Sequence, residues 1–263
     1  MNRLAAISRG DYAKVSRLRG RLLRAARQWF DERDFLEVTI PPFEASPVSP
    51  LTFAESQIAL NGDRLFLEAY AAAHDRVYSI RRRWKNGDPV SHGTLIEFES
   101  CNESYENLAE NMERLVKELY EAAWEVCPND ALVRYVTRPL LRLTYGDSPA
   151  RLQKESFPGE SKNRIDSEAG DSLRPTGIEN LVMVDGRPSN PPDKQGARWF
   201  DLLLPASGVS AGGIFRQATP PGDEWLYPGR FAGGVIYLEA VMQSVIAAEE
   251  GPVGLAEAVQ FLD

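Results

Sequence analysis

Cysteine is scarce in this chain: Cys101 and Cys127 are the only two among 263 residues. They lack CxxC or CxxH spacing, so neither a zinc site nor a disulfide framework is expected, and a reducing cytoplasm is the expected compartment. Long apolar runs are missing too. No stretch approaches the ~18 apolar residues that span a membrane. The first residues, with Arg3 and Arg9, hold no run long enough for a signal peptide, so no membrane partner is expected. Positive charge is in deficit, with 30 Lys and Arg against 38 Asp and Glu and a net charge of −8. Such a field repels phosphate backbones, so whole-chain charge gives no support to nucleic-acid binding, although a local basic face stays open. There is no internal repeat. What is present, 43% hydrophobic and 26% charged residues, is the balance of an ordinary globular protein, long enough for one sizeable domain or two small ones.

Residues 14–34 predict an amphipathic helix, since Val15, Leu18, Leu22, Ala26, Trp29 and Phe30 recur at three- and four-residue steps. Phe35 to Ile40 then alternates like a strand, and Pro41-Pro42 stops it. Residues 64–68 and 76–80 read as two strands around an Ala-rich helical turn, Ala69 to His74. Residues 94–103 read as another strand. Ser104 to Cys127 is a helix by its Leu108, Met112, Leu115, Leu119, Ala122, Val126 stripe, ended by Pro128-Asn129. Residues 146–198 are rich in Ser, Gly, Pro, Asp and Lys and read as a mobile loop insertion around a short helix. Weak strand signals remain at Leu140–Leu143 and Leu181–Val184.

Four segments, in order, resemble a known family. The helix with Asp34-Phe35-Leu36-Glu37-Val38 and a proline is similar to "G-F-x-E-V-x-T-P". Arg76-Val77-Tyr78-Ser79-Ile80 through Gly87, then Thr94-Leu95-Ile96-Glu97-Phe98, resembles "R-V-Y-x-I-x-x-x-F-R-x-E … H-L-x-E-F". Phe200-Asp201-Leu202-Leu203 through Gly212-Gly213-Ile214-Phe215-Arg216 resembles "F-D-L-L-x-P-x-x-G-E-I-x-G-G-S-x-R-E". Gly233 to Val241 resembles "G-x-G-x-G-x-E-R-L". These are signatures of the class II aminoacyl-tRNA synthetase catalytic domain, asparaginyl and aspartyl branch. Each piece alone is weak, but four in order cover nearly the whole chain.

The resemblance implies an α+β fold: one antiparallel sheet flanked by helices, a single domain over 1–263 without the anticodon-binding barrel, and a homodimer built on the first motif. It also shows where the chain departs from the family. Lys85 takes the place of the arginine that grips the ATP α-phosphate, and Gly87 that of the following acid. Val209 replaces one magnesium carboxylate while Asp201 keeps the other. Ala240 replaces the third-motif arginine. Thr94 replaces the histidine, with His92 two residues away. The acid that holds the substrate ammonium maps to Val48, and the helix carrying "S-x-Q-L" is cut short. Lysine keeps charge but loses the bidentate fork, and one carboxylate is a poor magnesium site, so no metal or cofactor is expected, with ATP and magnesium disfavoured.

Arg216 survives at the position that reads the substrate side chain, beside Gly212 and Gly213, where backbone approaches a ligand closely. Glu97 and Glu239 are kept. The expected reading is a free-standing paralogue that does not charge tRNA and acts on a small amino-acid-like or carboxylate-bearing substrate in specialised metabolism. Glu97, Asp201 and Lys85 would do chemistry. Arg216, Arg83, Gly212, Gly213, Glu239 and His92 would bind. A plain structural reading stands beside each: a salt bridge for Arg216, scaffold contacts for Asp201 and Glu239, a solvated strand edge for Arg81-Arg82-Arg83, an inert thiol for Cys101. Two other functions stay open, an ATP-dependent amide-forming or aminoacylating ligase and a non-catalytic binding or regulatory subunit.

Overall fold

A computed structural model describes residues 13–40, 63–82, 93–144, 180–185, 198–205, 208–217 and 230–249. Helix α1 (Ala13–Asp31) leads into the short strand β1 (Leu36–Glu37), and α2 (Asp63–His74) into β2 (Arg76–Arg82). Then come β3 (Thr94–Cys101), α3 (Tyr105–Trp124), α4 (Asp130–Thr137) and β4 (Leu141–Thr144). Strands β5 (Val182–Asp185), β6 (Arg198–Leu204), β7 (Gly208–Gln217) and β8 (Arg230–Tyr237) follow, and helix α5 occupies 238–249.

The strands form one eight-stranded sheet in the order β1-β2-β3-β8-β7-β6-β5-β4. Pairing is antiparallel from β2 across to β5 and parallel at both edges, β1 with β2 and β4 with β5. The α+β expectation is therefore met by a mixed sheet whose centre is antiparallel. Apart from residues 180–185 and Arg198, the 146–198 segment lies outside the described residues.

Junctions explain where elements stop. Asp34, Asp75 and Asn102 take positive φ (58°, 64° and 61°) between α1 and β1, α2 and β2, and β3 and α3. Asp and Asn tolerate that left-handed region better than other side-chain-bearing residues, so the chain reverses there at low cost. Ser104 caps α3 by accepting the Asn107 amide at 3.0 Å. Asn129 caps α4 by accepting the Ala131 amide at 2.7 Å, and its own Nδ2 donates to the Ala248 carbonyl at 2.6 Å, tying the end of α5 to the same turn.

One expectation is corrected. Residues 64–68 are not a strand; they belong to α2, which runs unbroken to His74. Leu67 and Ala71, four apart, are buried with Val38, Ile40, Val77 and Phe231, so the apolar run follows the helical step and not alternation. Helix α4 carries no earlier assignment, although Leu132 and Tyr135 bury one face of it after the Asn129 cap.

The main core lies between the sheet and helices α1, α3 and α5. Phe30 stacks on Tyr78 at 4.2 Å between ring centroids, and Trp29, Phe35 and Phe98 complete an aromatic nest around them. The row Tyr78, Phe98, Gly234, Gly213, Phe200 runs across five strands on this helix-covered face. Its two glycines are spaces for neighbours. A Cβ on Gly234 would stand 2.4 Å from Met112 Sδ and 2.5 Å from the Phe98 ring, and one on Gly213 would stand 2.5 Å from Phe200.

Gly234→Ala is accordingly expected to destabilise the protein by about 1–3 kcal/mol in urea unfolding, the usual cost of overpacking. Gly20→Ala in α1, where nothing lies within 4 Å, serves as its control and is expected to stabilise by roughly 0.5–1 kcal/mol.

Candidate active site

Alternation places every second residue of the central strands on the opposite face. Its key row is Ser79, Glu97, Val235, Gly212, Asp201 and Val184, one residue each from β2, β3, β8, β7, β6 and β5. Two expected site carboxylates therefore share one line, and both are largely buried, Glu97 and Asp201 each 7% exposed. They stand three strands apart, ~14 Å at the backbone, so they serve different parts of a ligand and do not act as an acid–base pair on one bond.

Apolar groups border the row. At one end α2 covers Val77 and Phe231. Leu143, Val182, Val184 and Leu203 pack together beyond Asp201. At the other end Leu95 and Val235 pack with Tyr237.

Arg81 Nε donates to Glu97 Oε2 at 2.7 Å, with 20% of the arginine side chain and 9% of the glutamate exposed. A carboxylate withdrawn from water to this degree needs such a partner. The basic run thus sends at least one member to the site face instead of lying wholly along a solvated edge.

Glu239 begins α5 and is already engaged. Arg19 Nη1 of α1 donates to its Oε1 at 2.7 Å, and the Thr94 amide donates to its Oε2 at 2.6 Å. Arg19 also donates to Thr94 Oγ1. This bridge ties α1, β3 and α5 together. Ala240, at the third-motif arginine position, packs against the main core.

Gly212 lies on the site row, whereas Gly213 faces the helices, where its missing side chain makes room for Phe200. Arg216 of β7 pairs with Phe231 of β8, and Val209 of β7 with Leu203 of β6, beside an irregularity between Leu202 and Leu203; the side chains of Arg216 and Val209 lie outside the described set. Lys85, Arg83, His92, Gly87 and Val48 lie outside the described residues altogether. Among the described residues no three His, Cys, Asp or Glu side chains are grouped to hold a metal.

Sequence reasoning passed over Arg19, Glu99, Val235 and Tyr237. Glu99 is 1% exposed, two residues from Glu97 on the same face. Counting back from Glu239 places the third motif's glycines at 237, 235 and 233, which would have exposed Tyr237 and Val235 as departures. Cys101, at the end of the same strand, has its thiol pushed up to about 11 by burial and by Glu99, Asp75 and Glu68, which favours the inert-thiol reading.

Removing the cation from beside a buried carboxylate is costly, so Arg81→Met is expected to lose about 3 kcal/mol of stability. The pair Arg81→Met and Glu97→Gln should recover part of it, giving a coupling of roughly 1–3 kcal/mol in a double-mutant cycle read by urea unfolding. For Cys101 the thiolate is the reactive form. Its alkylation at pH 8, followed by peptide mass spectrometry, should run about a hundredfold slower than that of free cysteine and rise about tenfold per pH unit toward pH 11.

Comparison with known proteins places this geometry. A profile described as tRNA synthetases class II (D, K and N) matches residues 1–199. The "Probable asparagine–tRNA ligase, cytoplasmic" of Encephalitozoon cuniculi is 25% identical over 239 residues, 76% of this chain and 52% of that protein. The lysine–tRNA ligase of Actinobacillus pleuropneumoniae is 28% identical over 130 residues, 44% of this chain and 26% of that one. The chain thus spans about half the length of the first and a quarter of the second. Among solved structures, the asparaginyl-tRNA synthetase of Pyrococcus horikoshii superposes with a TM-score of 0.67 at 18% identity, over 92% of this chain and 66% of that one. The Entamoeba histolytica enzyme does so at 0.67 and 19%, over 97% and 69%. Fold, motif order and profile agree: this chain belongs to the class II tRNA synthetase family, in the group of the D, K and N enzymes.

Proposed function

We propose that this chain does not charge tRNA and acts instead on a small amino-acid-like or carboxylate-bearing substrate, without adenylation, as an enzyme of specialised metabolism. The observation that carries the reading lies at the head of α5. Glu239 is held by Arg19 and the Thr94 amide, and its neighbour Ala240, partly buried, packs against the core. Among the described residues, the acid and the cation at that end of the site, Glu239 and Arg19, are already paired with each other, where a reaction on a triphosphate needs charge neutralised.

The row supports a smaller ligand. Arg216 anchors the carboxylate or amide end of the substrate, helped by positive charge from Lys85 and Arg83. Asp201, next to Gly212 on the row, is the acid/base. Glu97, on the far side of Val235, holds Arg81 on the site face and so serves as a positioning group at that end of the row. We further propose that the protein works as a homodimer through its first motif, where Leu36 stands 47% exposed on the edge strand β1.

Calorimetric titration with L-aspartate and L-asparagine tests the substrate class. One of the two is expected to bind, and Arg216→Ala is expected to weaken it by roughly 2–4 kcal/mol, the cost of leaving a buried charge unpaired. Aspartate- or asparagine-dependent exchange of pyrophosphate into ATP, or aminoacylation of tRNA, would overturn the proposal.

A further inference from the structure

The nucleotide that the family resemblance implies does not fit the strand over which it would lie. β8 is the third of the six strands that carry the site row, and its residues 233, 235 and 237 face the same side as Glu97 and Asp201. The third motif would leave these three positions bare, and a bare strand lets a flat ligand settle on backbone. In this chain none of the three is open. Val235 is 3% exposed and packs with Leu95, also 3% exposed, and Tyr237 lies against both. Position 233 is still glycine, but its space is taken from the next strand. A Cβ there would stand 2.1 Å from Glu99 Oε2 and 2.8 Å from Glu99 Cδ, so the glutamate carboxyl group lies over the glycine. Glu99 is 1% exposed.

We propose that Glu99, Val235 and Tyr237, with Leu95 behind them, form a wall that keeps a nucleotide off the sheet and confines the ligand to the side of Gly212 and Asp201. This deepens the function proposed above and rests on it for the class of ligand: an amino-acid-sized carboxylate spanning two or three strands, with no adenosine moiety. The wall itself stands on the packing alone. It also gives Glu99 a role distinct from that of Glu97, since its carboxyl group fills the space over Gly233.

Calorimetric titration of the whole chain with adenosine and with Mg·ATP tests the wall. Adenosine is the deciding probe, because it needs no cation for a phosphate. The unaltered protein is expected to show no saturation by either probe up to roughly 10 mM, and Val235→Gly with Tyr237→Gly to bind adenosine at about 1 mM or tighter, a gain of at least about tenfold. Circular dichroism and a cooperative melt establish that the variant is folded. If it is not, Tyr237→Ala, which removes only the half-buried ring, is read in the same way. Saturable binding of either probe by the unaltered protein below roughly 10 mM overturns the inference, and so does a folded variant that gains no adenosine binding. L-aspartate and L-asparagine titrated alongside separate the two proposals. If neither binds while the variant gains adenosine, the substrate class is wrong and the wall remains.

Discussion

The row of two phenylalanines and two glycines across the middle of the sheet fixes everything on the other face. Phe98 and Phe200 lie over Gly234 and Gly213, and Met112 and Leu108 of α3 close on the same spaces. Side chains larger than hydrogen at either glycine would push α3 off the sheet. A slip of one residue in any central strand would turn its helix-facing side chains to the opposite face of the sheet. Once this row is in register, its neighbour one residue along is determined: Ser79, Glu97, Val235, Gly212 and Asp201 must share the opposite face. The polar line of the site is thus a consequence of aromatic packing on the far side of the sheet.

The site face uses the same device with a different filler. Gly233 accepts the Glu99 carboxyl group as Gly234 accepts the Phe98 ring. Neighbouring glycines on one strand therefore serve two faces, one with an aromatic and one with an acid. Two carboxylates near the row, one buried and one partly buried, are neutralised by arginines from different places. Glu97 takes Arg81 from the adjacent strand, and Glu239 takes Arg19 from the first helix. Both arginines bind within the protein itself, so the charges that stand nearest the row are partly spent on the fold.

Much of the fold could be read in the sequence where one physical signal dominated. α1 and α3 carry long apolar stripes, and both are helices close to their predicted bounds. The strand read at 94–103 runs from Thr94 to Cys101. The 64–68 run failed because a short apolar stretch fits strand and helix equally, and only the burial of Leu67 and Ala71 on one helical face decides between them. The parallel edges were invisible, since a two-residue strand such as Leu36–Glu37 has no periodicity to read. In the site, Glu97 and Asp201 were identified as single residues, but their placement on one row three strands apart depends on pairing between segments distant in sequence. Arg19 escaped notice for the same reason, lying 220 residues from Glu239. Gly213 was grouped with Gly212 as ligand-facing, yet adjacent residues of a strand point to opposite faces, and only one of them can serve the site.

The departures from the family differ in physical kind, and that difference orders them. Replacing arginine by Lys85 or Ala240 removes attraction, and attraction is graded: another cation or a bound metal ion can restore part of it. Filling the floor is different. Val235 and Tyr237 are part of a packed cluster, and a ligand atom cannot share their volume without the strand or the side chains moving. Of the two, occupied space is therefore the firmer barrier to a nucleotide. It also explains how the altered charges are tolerated, because a cation for a phosphate that cannot enter contributes nothing to binding and is costly to hold in a buried site. On this view Ala240 and the closed Arg19–Glu239 bridge follow from the wall. Where no phosphate arrives, the stable arrangement at the head of α5 is the one found, an acid neutralised by the protein's own arginine and an alanine packed against the core.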